Sequence, residues 1–360
     1  MIPVYQPSLN GNEKKYVNQC LDSSWISSKG EFISRFEHAF AEYVGTKQAT
    51  TVSNGTVALH LALEALKIGK GDEVIVPTLT YIASVNTILQ TGATVVYADS
   101  LLNTWNIDVE DIRRRITPKT KAVMVVHLYG LPCEMDSILN LCHEKGLFLI
   151  EDCAEAFGSF YKQQHVGTFG DVATFSFFGN KTITTGEGGM VICKDTHTHE
   201  RACHLKNQGV SKTREYWHDE LAYNYRMTNI CAAIGLAQLE QIDTILAKKR
   251  QIAQWYQKHL MGLPLCMQEE QPHTRHSFWM CSILLDEASH RQKLRDQLKN
   301  NGIETRPLFP PAHTMPHSFH DAHYRNAENL SSRGINLPSH PALTVENIEK
   351  ISNAIRKYFE

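Results

Sequence analysis

Seven short apolar runs, rich in β-branched residues, alternate with stretches of helical period between residues 48 and 193. Each run is five to seven residues long, which is typical of a strand buried in a sheet. The stretch from Thr56 to Leu66, which stops at Gly69, places its apolar residues on a helical face. This alternation is typical of βαβ units and predicts a mostly parallel seven-stranded sheet with strands at 48–53, 73–77, 94–99, 121–127, 147–152, 172–177 and 189–193.

The pattern changes to longer helices after this region. From Met227 onward, helical periodicity predicts one long helix that ends before Gly262 and Pro264. Residues 265–360 then mix short strand-like runs with further helical stretches, which favours a smaller α+β domain. The sequence therefore predicts a large α/β domain over residues 1–245, including an N-terminal segment, and a small C-terminal domain over residues 246–360.

The composition is that of an ordinary globular protein. Of 360 residues, 42% are hydrophobic, and 36 basic residues stand against 38 acidic ones, so nucleic-acid and membrane-surface partners are not expected. No stretch approaches the roughly 18 apolar residues of a membrane span, and the N-terminus lacks the pattern of a signal peptide. The nine cysteines are scattered without C-x-x-C spacing, which predicts reduced thiols, a cytoplasmic protein and no zinc ribbon.

Ligands of an open parallel sheet bind beyond the carboxyl ends of its strands, so the residues that follow each run are candidates for chemistry. The turn Ser53-Asn54-Gly55-Thr56 follows the first run and enters a helix. Such a turn offers backbone N–H groups and a helix N-terminus to an anion such as phosphate. The same residues also suit a plain helix cap, and the turn considered alone favours the cap.

Charged residues follow two other runs. Asp152 ends the fifth run, Glu155 comes three residues later, and Lys181 follows the sixth run beside a glycine-rich turn. A lysine, a strand-end carboxylate and a phosphate cradle are what pyridoxal 5'-phosphate requires: a Schiff-base amine, a partner for the pyridinium nitrogen and an anion site. Tyr81, after the second run, can stack on the pyridine ring, although a packing role suits it nearly as well.

Six strings resemble the DegT-type nucleotide-sugar aminotransferases: SNGTVALHLAL (53–63), GDEVIVPTLTYIASVN (71–86), VHLYG (126–130), IEDCAEAFG (150–158), GDVATFSFFGNKTITTGEGGM (170–190) and YNYRMTNICAAIGLAQLE (223–240). The resemblance covers nearly the whole chain. It implies the aspartate aminotransferase fold (PLP fold type I) and at least a homodimer. It also implies transfer of an amino group from glutamate to C4 of GDP-4-keto-6-deoxy-D-mannose, for surface polysaccharides such as the O-antigen.

The same resemblance implies roles for single residues. Lys181 matches the Schiff-base lysine, Asp152 matches the carboxylate at the pyridinium nitrogen, and Glu155 lies where relatives contact the cofactor's phenolic oxygen. Asn224 matches a phosphate contact that reaches in from the partner subunit, so each active site would be shared. Together with the turn considered above, the expected cofactor-binding residues are Ser53, Asn54, Gly55, Thr56, Tyr81, Asp152, Glu155, Ser176, Lys181 and Asn224.

The sequence gives less support to the candidate residues of the substrate site than to those of the cofactor site. Trp25 and Ser27 belong to a segment that resembles the family's N-terminal active-site loop, although alone it reads as a turn. His313 suits a contact with the sugar or a phosphate as well as it suits packing. His313, His317, His320 and His323 have a spacing that would suit a metal on a helix, but Pro316 interrupts that helix, so we expect a surface loop and no metal.

Alternatives to the GDP-sugar reaction remain open. A 4-aminotransferase for a UDP- or dTDP-linked 4-keto-6-deoxy sugar would use the same cofactor site. A PLP-dependent sugar dehydratase of this fold would carry histidine in place of Lys181. A cofactor-binding regulator would need an added DNA-binding module, for which the predicted domains leave no room.

Overall fold

The computed structural model describes residues 1–360, and all seven predicted strands form within one residue of their predicted bounds. In chain order the strands are β1 (Ala49–Val52), β2 (Glu73–Pro77), β3 (Thr94–Ala98), β4 (Thr120–Val126), β5 (Phe148–Asp152), β6 (Phe160–Tyr161), β7 (Gln164–His165), β8 (Val172–Ser176), β9 (Gly189–Cys193), β10 (Leu265–Met267), β11 (Thr274–Arg275), β12 (Cys281–Leu285), β13 (Arg306–Pro307) and β14 (Gly334–Leu337). The α-helices are α1 (Glu13–Ser23), α2 (Glu31–Val44), α3 (Gly55–Ala65), α4 (Ala83–Gln90), α5 (Val109–Arg115), α6 (Met135–Lys145), α7 (Thr196–Lys206), α8 (Asn229–Leu239), α9 (Ile242–His259), α10 (Ala288–Asn300), α11 (Arg325–Arg333) and α12 (Val345–Phe359).

The central sheet has the strand order β1-β9-β8-β5-β4-β2-β3. Only β9 runs antiparallel to its neighbours, so the carboxyl ends of the other six strands lie along one edge. The prediction of a mostly parallel seven-stranded sheet is confirmed. Because residues that follow separate strands meet at that edge, the order of strands determines which parts of the sequence can form a site.

Apolar side chains are buried on both faces of this sheet, as strand β4 illustrates. Ala122 and Met124 belong to one buried cluster, whereas Val123 and Val125 belong to another. Side chains alternate between the faces of a strand, so a continuous apolar run is what a strand covered on both sides requires. The central strands therefore form a rigid platform for the residues at their ends.

The single long helix predicted from Met227 is wrong in one respect: the structure contains two helices, α8 and α9, bent by 62° at a short break. Glu240 at the break accepts hydrogen bonds from Asn12 and from Tyr16. Apolar periodicity continues through the bend because both helices bury a face, so the pattern cannot reveal it. No single helix is long and apolar enough to span a membrane, and only this bent pair meets that test when its two members are counted together.

The C-terminal part forms a second sheet of order β10-β12-β14-β13, packed with α9, α10 and α12 around its own apolar cluster. Helix α9 joins the two parts, since Ile245 packs with the large sheet's cluster and Ile252 with the small one. The predicted division after residue 245 lies inside this helix. The chain start contacts both parts, since Ile2 forms a β-bridge with Ile303 of the small part and Val4 belongs to the apolar cluster of the large sheet.

Candidate active site

A pocket of about 470 Å³ opens at the carboxyl edge of the central sheet. Its residues follow β1, β2, β5 and β8, so parallel strands bring together positions more than 100 residues apart in sequence. The lining includes the expected residues Asn54, Gly55, Thr56, Tyr81, Asp152, Glu155, Ser176 and Lys181.

The first wall of the pocket is the turn from β1 into α3. The side chain of Asn54 caps the helix by accepting a hydrogen bond from Val57 N at 2.9 Å. Ala58 N is the first N–H bonded to a backbone carbonyl of this turn, so the N–H groups of Gly55 and Thr56 remain without a partner in the protein. Two free N–H groups at a helix N-terminus form an anion site.

The turn approaches strand β8 closely at Gly55. A Cβ atom on Gly55 would lie 2.7 Å from Cβ of Ser176, which is too close for any residue but glycine without a shift of the backbone. The Ser176 hydroxyl consequently lies beside the free N–H groups of α3. This cradle has the donors and the close backbone approach that a phosphate requires.

Asp152 forms the floor of the pocket at the end of β5 and is 5% exposed. Its Oδ2 accepts a hydrogen bond from Ser84 Oγ at 2.7 Å, and its Oδ1 accepts one from Ala154 N at 3.0 Å. Burial raises the pKa of Asp152, against the lowering effect of these donors and of the Lys181 charge. Because burial disfavours its charged form, a carboxylate such as Asp152 is stabilised by a nearby positive charge, and a cationic ring nitrogen would supply one.

Glu155, three residues further along the chain, is the second buried carboxyl. Its Oε2 accepts a hydrogen bond from Tyr129 N at 2.8 Å. Burial raises the pKa of Glu155 to about 7, although the Lys181 charge acts to lower it. The group therefore changes its protonation state near neutral pH, which is the property of a residue that exchanges protons.

Lys181 stands at the end of the turn after β8, where its N–H donates to Phe178 O at 2.9 Å. Burial lowers the pKa of its amine, and the charges of Glu155 and Asp152 oppose that shift. A lysine whose pKa is lowered has more of the neutral amine that attacks an aldehyde or accepts a proton.

Aromatic rings close the pocket on the side of the small domain. Tyr81 is 55% exposed and lies 5.6 Å from the ring of Phe309. Phe309 stacks on Tyr129 at 5.2 Å, and Tyr129 lies nearly parallel to Trp279 at 6.2 Å. Sequence reasoning missed Trp279 and Phe309 because both read as apolar residues of strand-like runs, and no motif marks their place in the pocket.

Several expected site residues lie outside this pocket. The N–H of Ser53 donates to Tyr225 O, and the carbonyls of Trp25 and Ser27 accept hydrogen bonds from Asn229 at the start of α8. Asn224 is exposed on the surface, where its Oδ1 accepts a hydrogen bond from Arg226 at 3.0 Å. None of these residues lines the pocket of its own chain.

His313 is likewise not at the pocket surface. It is buried between β2 and the small domain, and its Nδ1 lies 2.7 Å from Thr78 Oγ1. Glu328 Oε1 lies 3.3 Å from His313 Nε2 and 3.4 Å from His323 Nδ1, whereas the ring of His317 forms a hydrogen bond with Asn86. The histidine cluster therefore contributes to contacts between the two domains.

The pocket residues fit the three reactive parts of pyridoxal 5'-phosphate. The N–H groups of Gly55 and Thr56, with the Ser176 hydroxyl, suit its phosphate. The buried carboxylate of Asp152 suits its pyridinium nitrogen, and the amine of Lys181 suits its aldehyde.

Comparison with known proteins gives the same result. The profile of the DegT/DnrJ/EryC1/StrS aminotransferase family matches residues 7–356. The chain is similar to the GDP-perosamine synthases of Escherichia coli O157:H7, at 58% identity over 99% of this chain and 98% of the relative, and of Vibrio cholerae, at 56% over 100% and 99%. Its structure is similar to the PLP-form of Spr1654 from Streptococcus pneumoniae, with a TM-score of 0.94 and 27% identity over 100% of both chains.

Proposed function

The chain belongs to the DegT/DnrJ/EryC1/StrS family of PLP-dependent aminotransferases, and we propose that it acts as a GDP-perosamine synthase. The reaction would move the amino group of glutamate to C4 of GDP-4-keto-6-deoxy-D-mannose, for O-antigen or another surface polysaccharide. The observation that carries this proposal is one pocket in which Lys181, Asp152 and the cradle of α3 lie together, in a chain 58% identical to a protein of that name.

Five of the pocket residues have a task in this reaction. When bound, pyridoxal phosphate supplies an aldehyde that links to amines and a ring that withdraws electrons from the linked carbon. Gly55, Thr56 and Ser176 hold its phosphate, and the carboxylate of Asp152 keeps a proton on its ring nitrogen. Lys181 holds the cofactor between turnovers, and its freed amine then accepts a proton from one carbon and returns it to another.

The nucleotide and the sugar are tested with a panel of acceptors. Purified enzyme, glutamate and GDP-, UDP- or dTDP-linked 4-keto-6-deoxy sugars are compared by kcat/KM, with 2-oxoglutarate measured as the second product. We expect the GDP-linked 4-keto-6-deoxymannose to give the highest value. A higher kcat/KM with a UDP- or dTDP-linked ketone would replace the proposal with a 4-aminotransferase for that sugar.

The role of Lys181 is tested by substitution. Lys181→Ala should abolish turnover but retain cofactor, because the contacts to the phosphate, the ring nitrogen and the ring face remain. When the amino-sugar product is added to this variant, cofactor with that product attached should accumulate and be visible by absorbance. Turnover near the wild-type rate in this variant would contradict the assignment of Lys181.

We also infer that two subunits share each active site, with Asn224 contacting the cofactor phosphate of the partner. Asn224 is exposed and lies outside its own pocket, as a residue that serves a neighbour would. A hybrid dimer pairs a Lys181→Ala subunit with a subunit that carries a disabling Asn224 substitution. Both defects then lie in the same active site, and the second site of the hybrid is intact. When equal amounts of the two inactive homodimers exchange subunits at random, half of the dimers are hybrids with one intact site of two. About a quarter of wild-type activity should therefore return.

The alternative for Asn224 is a purely local role in its own chain. In that case a hybrid has one subunit without Lys181 and one without functional Asn224, and neither site recovers. Exchange confirmed by mass, with activity no higher than that of the parent variants, would remove Asn224 from the partner's site. We place the reaction in the cytoplasm, where the nine unpaired thiols would stay reduced.

A further inference from the structure

Trp279 brings the small domain into direct contact with Lys181. It precedes strand β12 and is 4% exposed, and the centroid of its ring lies 3.9 Å from Lys181 Nζ. No carboxylate oxygen forms an ion pair with that amine, so the indole face is its contact at this distance. The mechanism above assigns no task to Trp279.

The indole ring is fixed on the segment that carries Lys181. Its Nε1–H donates to the carbonyl of Asn180 at 2.7 Å, one residue before Lys181. On the other side of Lys181, the hydroxyl of Tyr5 donates to the carbonyl of Lys181 itself. The backbone of Lys181 is consequently held at two successive carbonyls, and one of the two donors is the ring that its side chain contacts.

The main chain of Trp279 is also fixed, by the buried Lys249 of helix α9. Lys249 Nζ donates to Trp279 O at 3.3 Å and to Ser339 O at 2.8 Å, and it lies 5.3 Å from the ring of Tyr5. Because Lys249 is 1% exposed, these carbonyls are its available partners. The indole face therefore has a defined position relative to the amine of Lys181.

An aromatic face attracts an ammonium ion more strongly than it attracts a neutral amine, and the attraction grows where water is excluded. The charged groups that act on Lys181 are Asp152 and Glu155, which favour its protonated form, while burial favours the neutral form. The phenols of the half-buried Tyr5 and the buried Tyr129 stay neutral, because burial raises the pKa of each. The indole thus adds to the effect of two carboxylates that act from a greater distance.

We propose that Trp279 is a positioning residue for Lys181, whose indole face holds the freed amine in its protonated form beside the cofactor between the two proton transfers. This proposal rests on the proposed function in so far as Lys181 is the residue that binds the cofactor. During this step the amine gains one proton from one carbon and delivers that proton to a second carbon, so no proton is gained or lost overall. Trp279 keeps the amine from turning away while it carries that proton.

The test measures the pKa of free Lys181 in enzyme loaded with pyridoxamine phosphate, in which the lysine is not linked to the cofactor. Brief treatment with acetic anhydride across a range of pH, followed by mass spectrometry of the Lys181 peptide, gives the pKa from the labelling rate. The sugar plays no part in this measurement. If the proposed sugar substrate is wrong, the pKa measured for Lys181 is unchanged. A failure of the proposed function is therefore distinguishable from a failure of the role proposed for Trp279.

Trp279→Leu removes the ring face, and Trp279→Phe retains one while it removes the N–H that bonds to Asn180. We expect the pKa of Lys181 to fall by about 0.4 to 1.5 units in Trp279→Leu. The fall in Trp279→Phe should be smaller, and the pH profile of kcat should move in the same direction. A pKa in Trp279→Leu within about 0.2 units of wild type, or an equal fall in both variants, would overturn the proposal.

A second measurement preserves the shape of the ring in case the leucine variant does not fold. Replacing the five tryptophans by 5-fluoro- and 5,7-difluorotryptophan weakens the attraction of the ring for cations without changing its size. Trp217 and Trp255, the other tryptophans that face cations, contact Arg214 and Lys248 rather than Lys181. A stepwise fall in the pKa of Lys181 with fluorination supports the proposal, and a constant pKa contradicts it.

Discussion

Strand β5 ends in two adjacent carboxylates, Glu151 and Asp152, that point to opposite sides of the sheet because side chains alternate along a strand. Glu151 is fully buried and accepts hydrogen bonds from three backbone N–H groups, at 2.7 to 2.8 Å, and from His127 Nε2 at 3.1 Å. Asp152 accepts from one hydroxyl and one N–H only. One carboxylate is therefore satisfied by the protein, and the other retains capacity for a ligand.

The pKa values of the two carboxyl groups are also shifted in opposite directions. His127 and the backbone N–H groups lower the pKa of Glu151 in spite of its burial, whereas burial raises the pKa of Asp152. His127, Glu151 and Cys153 also lie close enough to suggest a metal site. Because the oxygens of Glu151 are already bonded to Gly167, Phe169 and Gly170, this cluster holds the loop before β8 in place. Unmet bonding capacity therefore distinguishes Asp152 from Glu151, whereas burial does not.

Of the predicted changes, the largest is the loss of folding stability when the charge of Glu151 is removed. Glu151→Gln places an amide N–H against backbone N–H donors, and we expect the free energy of unfolding to fall by about 3 to 5 kcal/mol. Denaturant unfolding of the variant and wild type measures the change. The folded fraction should retain wild-type kcat. A variant that loses kcat but no stability would reverse the roles assigned to the two carboxylates.

Asp152→Asn should act on the reaction instead. The amide preserves the shape but cannot stabilise a charged ring nitrogen, so kcat should fall by about 10² to 10³, the scale of one preorganised interaction in a dry site. Steady-state kinetics with saturating glutamate and sugar give the ratio. A kcat within about threefold of wild type, less than ~1 kcal/mol, would mean that the ring nitrogen has another partner.

The Glu151 side of the sheet should also contribute to the loss of stability in acid. His165 is buried beside it, accepts a hydrogen bond from Gly158 N at 3.0 Å, and burial lowers its pKa from 6.5 to about 4. Below pH 6.5 the unfolded chain therefore binds a proton that the folded chain excludes. Stability should fall by about 1.4 kcal/mol per pH unit between pH 6.5 and 4 on account of this residue.

The matched control for His165 is His165→Gln, which keeps an acceptor for Gly158 N but does not titrate. Its unfolding free energy should be lower than that of wild type at pH 7, and the difference should shrink as the pH falls to 4. A difference that is constant with pH would show that His165 does not contribute to acid unfolding.

The smallest effect is that of Asp152→Asn on stability, and it should have the sign opposite to that of Glu151→Gln. Since the pKa of Asp152 is raised in the folded protein, its charge costs stability at neutral pH. That cost is relieved as the pH falls through the raised pKa of the folded protein, and it is absent below 3.8. Cofactor-free Asp152→Asn should be as stable as wild type at pH 7 or up to about 1 kcal/mol more stable. Thermal unfolding of both cofactor-free proteins measures this, and a clear loss of stability would contradict it.

Much of this architecture could be predicted from sequence because local pattern and topology agree. Apolar runs located the strands, and the rule for parallel sheets brought Lys181, Asp152 and Gly55 to one edge. The turn after β1 fits both the helix cap and the phosphate cradle that the sequence suggested, since Asn54 caps the helix while its neighbours keep free N–H groups. Strand ends are informative because their position in space follows from secondary structure alone.

What the sequence could not reveal depends on packing between distant segments. The bend between α8 and α9 leaves the apolar period intact, and Trp279 enters the pocket from a domain whose orientation no local pattern encodes. The sequence left a ligand contact and a packing role equally open for His313, and its burial against Thr78 depends on how the domains meet. Each of these features is set by tertiary contacts.

The central claim is that Lys181, on the Asp152 side of the sheet, binds the cofactor. The chain offers an internal control in Lys249, a buried lysine whose pKa is lowered by burial to about 8. Reducing the PLP-loaded enzyme with borohydride fixes the lysine–cofactor link, and peptide mass spectrometry then identifies the modified residue. The account predicts the added mass on the Lys181 peptide alone. Modification of Lys249 or another lysine, or none in enzyme that retains full activity, would contradict it.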